Sequence, residues 1–88
     1  MVRIHLYSKE DCHLCDEAKI VIEKIQQQIP FELIVTKIFE GHPKFERFKE
    51  KIPVIYIDGE QSFLYRVDEK EFVKKIREAE EIHTPKFN

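Results

Sequence analysis

The two cysteines of this chain, Cys12 and Cys15, are separated by only two residues. They stand where an alternating apolar stretch, residues 2–7, gives way to a segment with helical periodicity. Two intervening residues allow the first turn of a helix to hold both sulfur atoms close together. A Cys-x-x-Cys motif at such a strand-to-helix junction indicates redox chemistry rather than a structural disulfide.

The thiol of Cys12 is expected at the N-terminus of that helix. Unpaired backbone N–H groups and the helix dipole favour a negative charge at this position. They therefore stabilise a thiolate, which is the form of cysteine that attacks disulfides.

The spacing of apolar residues predicts the element order β-α-β-α-β-β-α. The predicted strands cover residues 3–7, 31–39, 54–57 and 62–65, and the predicted helices cover residues 14–28, 44–51 and a segment that begins at 68. A right-handed parallel crossover must join the first two strands, and Asp58-Gly59 indicates a tight turn between the last two. The predicted fold class is therefore α/β, with a four-stranded mixed sheet and helices on both faces.

Turn and capping residues indicate where each predicted helix begins. Ser8 or Asp11 can cap the first helix. Pro43 suits the first position of the second helix. Asp68 and Glu71 form a pair that resembles a capping box at the start of the third helix.

The chain of 88 residues is predicted to form one domain, residues 1–82, followed by a tail without periodicity, residues 83–88. No apolar run approaches the roughly 20 residues of a membrane span, and no signal-peptide pattern precedes the first strand. A monomer in the cytoplasm is expected, where a close cysteine pair is more often catalytic, redox-active or metal-binding than structural. The net charge of −2 and pI near 6.1 argue against nucleic acid as the main partner.

Three features together resemble the thioredoxin fold. They are the order of elements, the Cys12-x-x-Cys15 motif that opens the first helix, and Ile52-Pro53 just before the third strand. The short chain and the Tyr7-Ser8-Lys9 sequence before the cysteines are most similar to glutaredoxins, in particular to short prokaryotic glutaredoxin-like proteins. The resemblance covers residues 3–82.

The resemblance implies a thiol–disulfide oxidoreductase in which Cys12 is the nucleophile and Cys15 is the resolving thiol. It also implies a cis peptide bond before Pro53, a position that faces the cysteines and leaves the backbone of Ile52 free to pair with substrate. Lys9 matches a lysine that helps to hold a glutathione carboxylate in glutaredoxins.

Two segments depart from the glutaredoxin pattern. His13-Leu14 stand between the cysteines, where glutaredoxins usually have Pro-Tyr. His13 is either a local charge that stabilises the Cys12 thiolate or an exposed residue of the first helical turn. Residues 64–68 contain no glycine, whereas glutaredoxins have a Gly-Gly pair there that accommodates the γ-glutamyl group of glutathione. Asp68 can still present helix N–H groups to an anion.

The resemblance implies no tightly bound cofactor. It implies protein or glutathione mixed disulfides as substrates, with glutathione or a thioredoxin-reductase-type donor as the reductant. No membrane partner is expected.

Two other functions are compatible with these residues. A metal or iron–sulfur carrier would use Cys12 with glutathione or a second subunit, although Cys15 counts against it. A closed zinc site needs four ligands; His5 and His13 could add two to the thiolates, but the chain has no second pair of cysteines. A non-enzymatic interaction module of the thioredoxin fold would have incidental thiols, so Cys12→Ser would leave its partner binding intact.

Overall fold

The computed structural model describes residues 1–83 of the chain. Within them the elements follow the predicted order, so the α/β class and the β-α-β-α-β-β-α arrangement are confirmed. The elements are β1 (Arg3–Ser8), α1 (His13–Gln26), β2 (Glu32–Lys37), α2 (Phe45–Phe48), β3 (Val54–Ile57), β4 (Glu60–Leu64) and α3 (Glu69–His83).

The four strands form one mixed sheet in the order β2-β1-β3-β4. β1 pairs in parallel with β2 and antiparallel with β3, and β3 pairs antiparallel with β4. Asp58 and Gly59 join β3 to β4 with positive φ angles of 49° and 83°. Two successive positive φ angles match the right-handed twist of a tight hairpin, so the Asp58-Gly59 turn appears where it was predicted.

One face of the sheet, which we call the α1–α3 face, carries an aliphatic core. Side chains alternate along a strand, and the register pairs Ile4 with Ile57 and Leu6 with Ile55 on this face. The apolar stripes of α1 and α3 cover it. Their buried residues in this core are Ala18, Ile22, Ile25, Phe72, Ile76 and Ala79.

The opposite face, which we call the α2 face, is aromatic. Tyr7 lies opposite Val54 in the register, one residue out of phase with the aliphatic core. The ring of Tyr7 packs against Phe48 of α2 with 5.0 Å between ring centroids, and against Tyr56 of β3 at 5.7 Å. Helices therefore lie on both faces, as predicted, but α2 has only four residues.

The start of α2 differs from the prediction. Pro43 was expected at the first helical position, but it lies in the preceding turn, and Lys44 takes the N-cap position. The reason is that the Phe45 N–H donates to the carbonyl oxygen of His42 at 2.9 Å, so a turn precedes the helix. At the other end α2 stops at Phe48, because turns follow it and the residue before Pro53 is disfavoured in a helix.

The last helix is longer than predicted. α3 continues to His83, the first residue of the predicted tail, and residues 84–88 of that tail lie outside the described residues. Asp68 caps the helix as predicted, since its Oδ1 accepts the Glu71 N–H at 3.0 Å. None of the helices in residues 1–83 has the length and apolarity needed to cross a membrane.

Candidate active site

Cys12 begins α1 and caps it. Its backbone is extended (φ −109°, ψ 104°), and its Sγ accepts a hydrogen bond from the Cys15 N–H at 3.2 Å. The prediction that Ser8 or Asp11 caps this helix is wrong. An N-cap side chain must accept from an N–H two or three residues further along, and Cys12 meets this requirement with its sulfur. The hydrogen bond and the helix N-terminus both favour negative charge on that atom.

Cys12 and Cys15 are joined by a disulfide, with 5.2 Å between their Cα atoms. The two residues differ in exposure, because Cys15 is 4% exposed whereas Cys12 is only half-buried. An external thiol therefore reaches Cys12 more readily than Cys15. A thiolate is also disfavoured in apolar surroundings, which further separates the two sulfur atoms in reactivity.

The disulfide lies against a second apolar cluster, which we call the site cluster. Its buried residues are Tyr7, Cys15, Ile38, Phe48, Ile52 and Val54. Cys12, Tyr56 and Leu64 pack against this cluster and are only partly buried. The buried residues of the cluster thus come from the two central strands, from α1 and α2, and from the loops that follow β2 and precede β3.

The Ile52–Pro53 bond is cis, as predicted. Ile52 is buried in the site cluster with the disulfide, and the Pro53 carbonyl oxygen accepts the Tyr65 N–H at 2.8 Å. Among the described residues, no backbone hydrogen bond uses the N–H or C=O of Ile52. These two backbone groups therefore remain able to pair with another chain.

His13 and Lys9 lie near the disulfide in sequence, but within residues 1–83 no side-chain hydrogen bond joins either of them to it. Nε2 of His13 is 3.1 Å from Oε1 of Glu17, one turn further along α1, and the His13 side chain is 85% exposed. A role for His13 in stabilising the Cys12 thiolate stays a prediction. Lys9 is exposed in the loop before Cys12, and its ammonium makes no ion pair within residues 1–83. Its contact with glutathione also stays a prediction.

Lys44 is a residue of the site that the sequence analysis did not single out. Its Nζ lies 5.5 Å from the ring centroid of Tyr7 and 5.8 Å from that of Phe48. Both rings belong to the site cluster, so a cation lies over the aromatic part of the site. No local pattern marks this lysine, because the contact forms only when α2 folds over β1.

His5 takes part in the aromatic face rather than in a metal site. Its ring stacks on Tyr7 with 4.1 Å between centroids, and its Nε2 lies 2.7 Å from Oγ1 of Thr36. Burial lowers the pKa of His5 from 6.5, and the nearby charges of Lys44 and Arg3 lower it further. In the described part of the chain, no three His, Cys, Asp or Glu side chains are grouped so that they could hold a metal ion.

The α2 face is open beyond the short helix. A cleft of about 910 Å³ is lined by His5, Tyr7 and Tyr56 of this face and also by Lys75 and Ala79 of α3. Neither cysteine lines the cleft. Tyr7 belongs to both the cleft and the site cluster, so the two are adjacent but distinct.

Comparison with known proteins agrees with this geometry. Residues 3–77 match the family model described as "Glutaredoxin-like domain (DUF836)". A structural genomics target protein from X. campestris has a TM-score of 0.71 and 17% identity, over 85% of this chain and 96% of that chain. Fasciola hepatica thioredoxin has a TM-score of 0.59 and 13% identity, over 88% and 79% of the two chains.

A mutant thioredoxin from Halobacterium salinarum NRC-1 has a TM-score of 0.52 and 21% identity, over 88% of this chain and 73% of that chain. At these identities the solved structures show a shared thioredoxin-like fold. The family match is more specific, because it spans both cysteines and the cis-proline. This chain belongs to the glutaredoxin-like domain family, and its Cys12–Cys15 pair supports a redox role.

Proposed function

We propose that this protein is a thiol–disulfide oxidoreductase that reacts through Cys12. The observation that carries the proposal is the asymmetry of the cysteine pair. Cys12 is accessible, caps α1 and accepts a hydrogen bond from the Cys15 N–H, whereas Cys15 is buried in the site cluster. An accessible, stabilised thiolate beside a buried thiol is the arrangement that a two-step exchange requires.

The exchange starts from the reduced protein. The Cys12 thiolate attacks one sulfur of a substrate disulfide, so that an S–S bond forms to Cys12 and the other half of the substrate leaves as a thiolate. Cys15 then loses its proton and attacks Sγ of Cys12, which releases the second half as a thiolate. The substrate disulfide gains two electrons and becomes two thiols, and the protein dithiol loses two electrons and becomes the Cys12–Cys15 disulfide.

The backbone around Pro53 supports a binding role in this reaction. Ile52 lies in the site cluster with Cys15, and its N–H and C=O have no backbone partner among the described residues. An extended substrate segment beside Cys12 can pair with these two groups as a strand pairs with a sheet edge. Ile52 and Pro53 would then fix the orientation of the substrate disulfide before attack.

The oxidised protein must be reduced again before a second turnover. We assign this step to glutathione or to a thioredoxin-reductase-type donor in the cytoplasm, with no tightly bound cofactor. Protein or glutathione mixed disulfides are the substrate classes that this chemistry accepts.

Two cysteine variants test the proposal. Cys12→Ser should abolish reduction of an insulin disulfide by dithiothreitol above the uncatalysed rate, because no nucleophile remains. Cys15→Ser should accumulate the mixed disulfide with Cys12, visible as a mass increase, because the resolving step is blocked. In glutathione buffers the wild-type pair should equilibrate reversibly, with a midpoint of about −180 to −270 mV.

Two outcomes would contradict the proposal. Wild-type turnover by Cys12→Ser would show that the thiol is incidental. A pair that forms no reversible disulfide, together with iron bound after anaerobic purification, would favour the metal-carrier function instead.

A further inference from the structure

Two exposed aromatic side chains, Phe39 and Tyr65, follow the two edge strands at the end of the sheet that carries Cys12; we call them the aromatic flanks. They are the only aromatic members of the exposed large apolar residues in the described chain, at 63% and 47% exposure. Phe39 follows β2 and Tyr65 follows β4, which are the two edge strands. Cys12 follows β1 and Pro53 precedes β3, the two central strands. The strand directions place all four positions at the same end of the sheet.

Hydrogen bonds fix the loop that carries Phe39. The carbonyl oxygen of Phe39 accepts the His42 N–H at 2.8 Å, and the two rings meet edge to face at 5.6 Å. The Lys44 N–H in turn donates to Nδ1 of His42 at 3.0 Å, which orients the imidazole. Phe39 is thus held in place while its ring stays exposed.

Tyr65 is fixed from the other side. Its N–H donates to the Pro53 carbonyl oxygen at 2.8 Å, and its φ angle is 68°. A bulky residue in this left-handed region strains the backbone, and glycine would avoid that strain. A strained backbone that presents an exposed ring beside Pro53 points to a binding role for that ring.

The distance between the flanks limits what can touch both. Neighbouring strands lie about 4.8 Å apart, so the ends of β2 and β4 are separated by three spacings, or about 14 Å. A tripeptide spans at most about 10 Å and reaches about 5 Å to each side of a central cysteine. Glutathione bound through Cys12 therefore covers less of this separation than an extended segment of about five residues, which spans it.

Charge near Tyr65 also disfavours a small anionic substrate. The start of α3 is capped by the Asp68 carboxylate, and its first turn carries Glu69 and Glu71. These groups offset the positive end of the helix dipole that would otherwise attract a carboxylate. The cationic residue nearest to Tyr65 in sequence is Arg66, which is exposed in the same loop.

We propose that the aromatic flanks bind apolar side chains of an extended polypeptide substrate whose disulfide reacts at Cys12. Disulfides within polypeptides are then preferred over glutathione disulfides. This inference rests on the proposed exchange reaction and specifies its substrate class. Phe39 and Tyr65 set specificity by contact with substrate and take no part in electron transfer.

The test compares two disulfides of the same chemistry. One is glutathione and the other is a peptide of about nine residues with a central cysteine and leucines on both sides, long enough to pass both flanks. Each is supplied as the mixed disulfide with 5-thio-2-nitrobenzoate, whose low thiol pKa makes it the leaving group, and release of its colour gives the rate of attack by the reduced protein. The long peptide should react at least about tenfold faster, as expected for two aromatic contacts.

Substitutions then assign that preference to the flanks. Phe39→Ala and Tyr65→Asn should each lower the rate for the long peptide about fivefold and leave the glutathione rate unchanged. Asparagine is chosen at position 65 because it tolerates a left-handed backbone. The control is Ile20→Ala, which removes an apolar side chain that is 66% exposed on α1 and should change neither rate.

Equal wild-type rates for the two disulfides would overturn the inference. It would also be overturned if Phe39→Ala and Tyr65→Asn slowed the reactions of both disulfides equally, or slowed neither reaction. Failure of the proposed function gives a different result. In that case neither disulfide would react faster with the wild type than with Cys12→Ser.

Discussion

The two faces of the sheet differ in the helices that cover them, in the side chains that pack there and in the presence of a cysteine. The α1–α3 face is covered by helices of 14 and 15 residues and is packed mainly with aliphatic side chains. The α2 face is covered at one end by a four-residue helix, is aromatic, and holds Cys15 in its site cluster. The first face is therefore a closed core, whereas the second is only partly covered.

The same two central strands build both faces. Leu6 and Tyr7 are neighbours in β1, yet Leu6 lies in the aliphatic core and Tyr7 lies in the site cluster. This follows from the alternation of side chains along a strand. A substitution on the α1–α3 face should therefore change stability with little effect on the redox equilibrium of the cysteines. A substitution in the site cluster should change both stability and that equilibrium.

The largest expected effect on stability comes from Phe72→Ala on the α1–α3 face. Phe72 is fully buried, and the rings of Phe31 and Phe63 pack against it at 5.9 and 6.0 Å. Removing the ring should lower the free energy of unfolding by about 3–5 kcal/mol, measured by urea denaturation of the oxidised protein. The exposed-site control, Ile20→Ala, should change it by less than about 0.5 kcal/mol.

A matched pair of substitutions separates the two faces by their redox effect. Phe48→Leu and Phe72→Leu should each cost about 1 kcal/mol of stability. Only Phe48→Leu should shift the equilibrium of the Cys12–Cys15 pair against dithiothreitol buffers, because Phe48 packs in the same cluster as Cys15. Equal shifts in both variants would show that the two faces are coupled through the sheet.

The smallest expected effect is a pH dependence of stability that arises from His5 on the α2 face. Because burial and nearby cations hold the pKa of His5 below 6.5, the unfolded chain binds its proton more readily than the folded protein does. Stability should therefore fall as the pH drops through about 6.5 and level off below the folded pKa. The change should be less than about 1 kcal/mol, because the imidazole is only half-buried and solvent screens it.

His5→Gln keeps a polar side chain near Thr36 but removes the titration. Urea denaturation at about pH 7.5 and pH 5 should show a smaller pH difference for this variant than for the wild type. An identical pH dependence in the two proteins would show that protonation of His5 does not cause the loss of stability at low pH.

The order of elements and one helix cap were predictable because they depend on neighbouring residues. Apolar periodicity located every strand and helix of the described chain to within a few residues. Asp68 was identified as a cap since its side chain acts on an N–H only three residues away. Pro43 was misplaced because the hydrogen bond between Phe45 and His42 made a turn where a helix start was expected.

The site was only partly predictable. The spacing of Cys12 and Cys15 at the start of a helix identified the two cysteines that are bonded to each other, and the resemblance to glutaredoxins correctly implied the cis bond before Pro53. Lys44 was missed, because its contact with Tyr7 depends on how α2 packs over β1. Phe39 and Tyr65 were missed as well, since each is an ordinary strand-end residue until the sheet order places both at the end of the sheet that carries Cys12.

The sequence by itself determined the features that arise within one helical turn or one strand. These include the element order, the cysteine pair at a helix start and the Asp58-Gly59 turn. Only the tertiary structure decided that Cys15 is buried while Cys12 is accessible, and that Phe39 and Tyr65 follow the two edge strands at the same end of the sheet. The physical reason is that burial and the positions of Phe39 and Tyr65 depend on strand pairing between residues far apart in the chain, whereas helix starts and turns depend on neighbouring residues.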